Sequence, residues 1–191
     1  MTVPHPTKNQ SPSALQTFLT NHPPPKSSQH PTDLHHLALQ IAHNLHYQHL
    51  WTSVRIHRSA THPRPLLSGV PPSRLYIHPD EQIQLLQQQK DHGKTGMPQL
   101  EAQREWVLPS HLREKWSLRR LGEVFDSIGH APRDGEGDEV LEGEGKGKGG
   151  SGELSRWRLE MPKRLLLATL DDDSTVVYYI VHDGIVKPRQ N

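Results

Sequence analysis

The chain is 191 residues long and carries a formal net charge of +1. A balance this close to neutral argues against a protein that binds nucleic acid through bulk positive charge, so any RNA contact would be a local basic patch. The absence of cysteine excludes disulfides, thiolate metal sites and cysteine nucleophiles, and the hydrophobic share of 32% predicts a chain that is folded over only part of its length. No stretch is long and apolar enough to span a membrane and the first residues lack an apolar signal core, so a soluble, intracellular protein is expected.

The N-terminal part of the chain divides into a tail and the beginning of a domain. Residues 1–31 are rich in Pro, Ser, Thr and His and predict a disordered tail. The domain is predicted to span residues 32–191. Apolar residues recur at helical spacing from Leu34 to Leu45 and predict a helix, and an imperfect alternation over residues 50–58 predicts the strand that follows it.

The middle of the chain alternates between loops, strands and helices. Residues 63–72 predict a proline-rich loop, and short strands are predicted at residues 74–77 and 105–109. One helix is expected to open at His78, before a proline that is tolerated in the first turn, and another is expected to be capped by Ser117. The apolar face of this second helix is predicted to comprise Leu118, Leu121, Val124, Phe125 and Ile128.

The C-terminal part carries the clearest pattern. Residues 129–153 are acidic and glycine-rich and predict a disordered insertion, because they offer too little apolar surface to fold. Residues 164–170 form a nearly continuous apolar run, which predicts a strand covered on both faces. Residues 175–181 predict a second strand of β-branched and aromatic residues. The turn between these strands contains Asp171, Asp172 and Asp173.

The second C-terminal strand is apolar on both faces. Alternate side chains of a strand point to opposite faces, and a small domain has difficulty covering both with its own helices. An exposed apolar strand near a chain terminus is typical of a protein interface. A further short strand is predicted to begin after the Asp-Gly turn. The predicted partner-binding residues are therefore Val177, Tyr178, Tyr179, Val181 and Ile185.

Three segments of the chain resemble one known family. Residues 69–82, 105–128 and 163–191 resemble the smallest subunit of the fungal tRNA-splicing endonuclease, a member of the tRNA-intron endonuclease-like family. The last of these segments, KRLLLATLDDDSTVVYYIVHDGIVKPRQN, is the most specific of the three. The similarity covers residues 32–191 without the glycine-rich insertion.

The resemblance implies a fold and a role. The fold would be α+β, a mixed β-sheet flanked by helices that is similar to the C-terminal domain of tRNA-intron endonucleases and is restriction-endonuclease-like. The chain would be a non-catalytic structural subunit in a nuclear heterotetramer, paired with the catalytic subunit that cuts precursor tRNA at the 3′ splice site. In this superfamily the last strands of partner domains pair edge to edge, and an acidic loop docks on another subunit. The resemblance thus makes Asp171, Asp172 and Asp173 candidate partner contacts.

The superfamily's catalytic residues are not all present. Its members cleave RNA with a Tyr, a His and a Lys that act as base, acid and charge stabiliser. Lys163 occupies a place similar to that of the Lys, just before the apolar run. The glycine-rich Tyr-containing stretch and the His that follows it are not found, and the surroundings of His111 do not match. No catalytic residue is therefore predicted, and the chain is not expected to be an enzyme.

Basic residues and histidines offer further candidates. Cations interleaved with an aromatic residue are able to hold single-stranded RNA, although the solvent face of any helix has the same composition. The candidate RNA-binding residues are Arg119, Arg120, Lys163, Lys187 and Arg189. Among 15 histidines, His43, His46 and His49 are spaced by three, but no acidic residue stands between them. We expect surface histidines, no metal site and no cofactor.

Two alternatives to the structural-subunit hypothesis remain open. The chain would be a weakly active RNA endonuclease with a degenerate site around Lys163, or a free-standing RNA-binding module. A related open question is whether the isolated chain pairs with a second copy of itself through its C-terminal strand, to form a homodimer.

Overall fold

The computed structural model describes residues 11–26, 28–141 and 156–184. Its helices are α1 (Ala14–Asn21), α2 (Thr32–Tyr47), α3 (Pro79–Asp91), α4 (Leu118–Asp126) and α5 (Arg156–Glu160). Its strands are β1 (Thr52–His57), β2 (Leu66–Val70), β3 (Glu105–His111), β4 (Asp138–Glu139), β5 (Arg164–Leu170) and β6 (Val176–His182). Within these ranges, no helix has the combination of length and apolar character needed to cross a lipid bilayer.

The strands form one mixed sheet. The described sheet has 6 strands in the order β4-β1-β2-β3-β5-β6. The pair β3–β5 is parallel, and the other neighbouring pairs are antiparallel. Parallel strands require a long crossover connection, and α4 and α5 lie in the crossover between β3 and β5. The prediction of an α+β domain with a mixed sheet flanked by helices is therefore confirmed.

Helices cover both faces of the sheet and create two apolar clusters. The cluster under α2 includes Ile41, Leu45, Val54, Leu67, Val107 and Ala168. The cluster under α4 includes Leu66, Trp106, Leu108, Val124, Phe125 and Leu165. Consecutive strand residues such as Leu66 and Leu67 thus belong to opposite clusters, as the two-residue period of a strand requires. The apolar run of β5 is confirmed as a strand covered on both faces.

The predicted loop over residues 63–72 is wrong at its centre. Leu66–Val70 forms β2, every residue of which is buried between β1 and β3. Prolines flank this short segment on both sides and gave it the composition of a loop. Gly69 serves close packing here, because a Cβ at this position would lie 2.9 Å from Cε3 of Trp51.

Two further local predictions are wrong. Residues 74–77 do not form a strand, since no described strand pairs with them; instead Arg74 donates a hydrogen bond of 2.8 Å to Glu81, which ties the segment to the first turn of α3. Leu118 is 91% exposed and does not belong to the apolar face of α4. It is the first residue of the helix, where the side chain projects beyond the packed turns.

The structure also describes parts of the predicted tail and insertion. In the tail, α1 packs Phe18 and Leu19 against the α2 cluster. Residues 129–141 contain β4 and the buried Val140, whereas residues 142–153 of the predicted insertion lie outside the described residues. The domain boundary at residue 32 stays a prediction.

Candidate partner-binding edge of the sheet

The last described strand lies at an edge of the sheet. β6 pairs with β5 from Leu170↔Val176 to Arg164↔His182, and no other described strand lies on its outer side. Its outer backbone N–H and C=O groups therefore have no strand to bond with in the part of the chain that the structure describes. Several of its large apolar side chains are exposed: Val177 by 44%, Tyr179 by 56% and Ile180 by 39%. An unpaired strand edge is thus combined with apolar surface.

The adjacent tyrosines of β6 have different environments. Tyr178 faces α2, where its hydroxyl donates a hydrogen bond of 2.5 Å to Oδ1 of Asn44 and its ring meets that of His49 edge-on at 5.0 Å. Burial raises the pKa of the Tyr178 hydroxyl far above its ordinary value. Tyr179 lies on the opposite, open face, the face on which Val181 packs against the α4 cluster.

This placement separates the predicted partner residues into groups. Val177 and Tyr179 are on the open face, Tyr178 is engaged inside the chain, and Val181 is half-buried. Ile180 was not predicted as a contact, although it is exposed near the end of the strand. By alternation Ile180 shares the face of Tyr178, and its greater exposure depends on the packing around the strand and not on the local pattern. The remaining candidate, Ile185, lies outside the described residues.

The acidic turn between β5 and β6 is held by hydrogen bonds of its own carboxylates. Oδ1 of Asp171 accepts from the backbone N–H of Asp172 at 2.7 Å, and Oδ1 of Asp173 accepts from that of Thr175 at 2.8 Å. The bonds to Thr175 hold the pKa of the Asp173 carboxyl below its usual range. Ser174 has a φ of 70°, so the turn passes through the left-handed region.

A second set of contacts connects this turn to the end of β3. The carboxylate of Asp172 pairs with Arg113, and its Oδ1 lies 3.2 Å from Nε2 of His111. A groove of about 660 Å³ opens between this pairing and the first turns of α2. Its acidic lining residues are Asp33, Glu114, Asp171 and Asp172, and its apolar floor comprises Leu34, Leu37 and Leu170.

The candidate RNA contacts around Trp116 are already engaged. Arg64 and Arg120 lie over the Trp116 ring, at 5.1 Å and 4.9 Å from its centroid, and both donate to Oε1 of Glu114. These charged bonds outweigh the effect of burial and hold the pKa of Glu114 below its usual range. Arg119 is more open, with 89% of its side chain exposed, and pairs with Glu123 one turn along the helix at 3.2 Å.

Lys163 has a structural partner. Its Nζ donates a hydrogen bond of 2.8 Å to the carbonyl oxygen of Phe125, near the C-terminal end of α4. The same oxygen accepts from the backbone N–H of Ile128 at 3.4 Å, and a cation at this end of a helix complements the helix dipole. Lys187 and Arg189, the other predicted basic contacts near the end of the chain, lie outside the described residues.

The histidines at three-residue spacing also have individual contacts. The His43 ring lies 4.5 Å from that of Tyr47, Nδ1 of His46 lies 3.1 Å from the carbonyl oxygen of Trp51, and His49 meets Tyr178. Among the described residues, no three His, Cys, Asp or Glu side chains are grouped so as to hold a metal ion.

The described residues form an α+β domain in which β6 is a partly apolar edge of the sheet. Residues 40–141 and 152–191 match the model of a family described as Sen15 protein. The chain belongs to the Sen15 family.

Two relatives extend this finding. A Neurospora crassa protein named probable tRNA-splicing endonuclease subunit tsp-1 is 46% identical over 155 residues, which are 79% of this chain and 64% of that protein, so the chain spans less than two thirds of its length. A Schizosaccharomyces pombe protein named probable tRNA-splicing endonuclease subunit sen15 is 26% identical over 185 residues, 92% of this chain and 95% of that protein. The family resemblance predicted from the sequence is confirmed.

Proposed function

We propose that this chain is a non-catalytic structural subunit of a tRNA-splicing endonuclease and that the β6 edge pairs with a catalytic subunit. The observation that carries the proposal is the position of β6 at the edge of the described sheet, with Val177 and Tyr179 exposed on its open face. The names of the relatives support the choice of complex. The domain would have the fold of the C-terminal domain of tRNA-intron endonucleases.

Pairing through this edge has a simple physical basis. A partner strand added beside β6 would satisfy its outer backbone groups and continue the sheet into the partner. Val177 and Tyr179 would lie under side chains of the partner, which removes apolar surface from water at roughly 25 cal/mol per Å². The subunit would thereby hold its catalytic partner at a fixed position relative to the other subunits, and so set the positions of intron cleavage in precursor tRNA.

The environments of Lys163, His111 and Tyr178 support a role without chemistry. The Lys163 ammonium is used by a backbone carbonyl, and His111 faces Asp172. The Tyr178 hydroxyl donates to Asn44, and its raised pKa is the opposite of what a general base at neutral pH requires. These side chains contribute to the packing of the domain at separate places.

The acidic turn extends the proposed interface. Asp172 and Asp173 are exposed at the end of the β5–β6 hairpin, where a basic groove of another subunit would meet them. The assembly would be a heterotetramer in the nucleus that contains the catalytic subunit for the 3′ splice site. In the isolated chain, the same edge would allow pairing with a second copy.

The test is a pull-down of the tagged chain from its own cells, followed by a precursor-tRNA cleavage assay on the eluate and on the purified chain. We expect the eluate to remove introns and the purified chain to leave precursor tRNA intact. Cleavage by the purified chain alone would instead support a nuclease site around Lys163. Absence of cleavage and of any co-purifying nuclease subunit contradicts the proposal; tight, strongly salt-dependent RNA binding by the chain alone would then favour an RNA-binding module.

A further inference from the structure

The groove beside the acidic turn combines an apolar floor with carboxylates. It has a volume of about 660 Å³ and lies between the first turns of α2, the end of β3 and the β5–β6 turn. Its floor comprises Leu34, Leu37 and Leu170, of which the last two are more than nine-tenths buried. Such a floor fits an aliphatic side chain or the apolar stem of a lysine or arginine.

The acidic lining of this groove is only partly neutralised within the chain. The carboxylates of Asp172 and Glu114 have cationic partners, which are Arg64, Arg113 and Arg120. The two other acidic lining residues, Asp33 and Asp171, make no ion pair within the part of the chain that the structure describes. A segment that fills the groove and complements it would therefore carry both apolar side chains and a cation.

The strand at the edge of the sheet leads away from this groove. β6 begins at Val176, two residues after the groove residue Ser174, and ends at His182, and the described residues stop at Gly184. Since a strand rises about 3.3 Å per residue, roughly 20 Å separates Gly184 from the groove. Lys187 extends at most about 11 Å beyond Gly184 by its backbone, and about 17 Å with its side chain, so it does not reach the groove of its own chain.

Pairing of two copies through β6 removes this separation. In a two-fold pair of antiparallel strands, the end of one strand lies beside the beginning of the other. The register that pairs all 7 residues of β6 is centred on Tyr179 and sets His182 of one copy opposite Val176 of the other. In the same register Gly184 comes opposite Ser174, which lines the groove. The segment after Gly184 would therefore leave the strand at the groove of the second copy.

The exposed side chains of β6 are consistent with this register. On the open face, Tyr179 would meet Tyr179 of the other copy, and Val177 would meet Val181. On the α2 face, the exposed Ile180 would meet Tyr178. The apolar side chains that β6 exposes would thus each gain an apolar neighbour across the pair.

We propose that two copies of this chain exchange the segment of residues 185–189, each docking its segment in the groove of the other. This segment lies outside the described residues, and its sequence is IVKPR. Its two leading apolar residues would cover the floor of the groove, and the Lys187 ammonium would pair with Asp33 and Asp171. The inference rests on the edge pairing of the proposed function, here between two copies, and adds a reciprocal contact at each end of the paired strands.

The first test is sedimentation equilibrium of the isolated full chain, which measures the dissociation constant of the dimer. Lys187→Glu is expected to raise this constant about 25-fold, roughly fivefold at each of the two symmetric grooves. Lys90→Glu, which makes the same charge change at an exposed position of α3, is the matched control and leaves the constant unchanged. Combining Asp33→Lys with Lys187→Glu is expected to restore the constant to within about threefold, which a misfolded variant would not do.

Engineered cysteines show which copy supplies the segment. The chain has no cysteine of its own, so a disulfide between two introduced cysteines is unambiguous. A Gln40→Cys chain, changed in the lining of the groove, is mixed with a Pro188→Cys chain and oxidised. We expect a disulfide that joins the two different chains. No such product is expected when Gln88→Cys, at an exposed position of α3, replaces Gln40→Cys.

The outcomes separate this inference from the proposed function. A dimer that Val177→Asp disrupts and Lys187→Glu does not would contradict the exchange of segments alone. The same holds for an absent mixed disulfide, and for a wild-type chain that stays monomeric because residues 185–189 bind elsewhere in their own chain. A dimer that Val177→Asp leaves intact would contradict edge pairing itself, and with it both the exchange and the proposed function.

Discussion

At the scale of single residues, the buried carboxylate of Glu105 joins two buried arginines. It is 3% exposed and accepts hydrogen bonds from both Arg158 and Arg164. Removing one partner of a buried ion pair leaves the remaining charge buried without a counter-charge. The cost in folding free energy is far larger than the net stabilisation that the intact pair contributes. Glu105 therefore fixes the start of β3 against the start of β5.

Glu105→Gln is expected to lower the free energy of unfolding by about 3–5 kcal/mol, because two buried guanidiniums lose their counter-charge. Urea denaturation measures this change. Glu123→Gln is the matched control: it removes the exposed pair with Arg119 and is expected to cost less than about 1 kcal/mol. Similar losses in the two variants would contradict the role assigned to Glu105.

A buried histidine gives the domain a pH dependence. The His57 side chain is 3% exposed, its Nε2 lies 2.9 Å from Oγ of Ser68, and its ring packs against Trp106. Burial, followed by the charges of His62, Arg104 and Arg55, lowers the His57 pKa from 6.5 to about 4, while the charge of Asp138 opposes this. The folded chain thus binds this proton less readily than the unfolded chain, so the stability from His57 is present in full above pH 6.5 and is lost towards pH 4.

His57→Gln is expected to reduce the acid sensitivity of folding. Over the interval from pH 6.5 to pH 4, the wild-type chain loses roughly 3 kcal/mol through this group. Urea denaturation at several pH values measures the free energy of unfolding of wild type and variant. The difference between their losses isolates His57, because other groups that titrate with the same sign are present in both proteins. His92→Gln, which replaces an exposed histidine at the end of α3, is the control. An unchanged pH dependence in His57→Gln would show that His57 is not the responsible group.

At the scale of elements, sequence patterns located the segments whose periodicity is long or whose composition is distinctive. The helical repeat from Leu34 to Leu45 corresponds to α2, and the two C-terminal strands correspond to β5 and β6. β2 was missed because a strand buried on both faces has no alternation, and this one is only 5 residues long between prolines. Its identity depends on β1 and β3 beside it, which no local pattern reveals.

The tight packing of β2 against β1 is tested by Gly69→Ala. The added methyl group would lie 2.9 Å from a carbon of the buried Trp51 ring, which has little freedom to move, and the expected cost is about 1–3 kcal/mol. Gly122→Ala is the control: it adds a methyl group inside α4 with no atom within 4 Å and is expected to stabilise by about 0.5–1 kcal/mol. Thermal unfolding of both variants measures the two shifts, and stabilisation by Gly69→Ala would contradict the packing described for β2.

At the scale of the whole molecule, the two edges of the described sheet differ. One edge is β4, only 2 residues long and charged; the other is β6, 7 residues long and partly apolar. A short, charged edge discourages further pairing, whereas a long apolar edge favours it. The sequence indicated that β6 has two apolar faces, but the position of β6 at the edge and the difference between Tyr178 and Tyr179 depend on the order of strands and on the placement of α2. Those features are tertiary and are not encoded in a local pattern.

The central claim is most directly tested by co-purification of the chain with the catalytic endonuclease subunit on a sizing column, for wild type, Val177→Asp and Tyr179→Asp. A carboxylate buried without a partner costs several kcal/mol, so we expect both variants to weaken the complex by about 100-fold or more and to elute separately. Leu118→Asp, an exposed apolar residue at the start of α4, is expected to leave the complex intact. Intact complexes of both edge variants would contradict pairing through β6, whereas their loss with Leu118→Asp unaffected would support it.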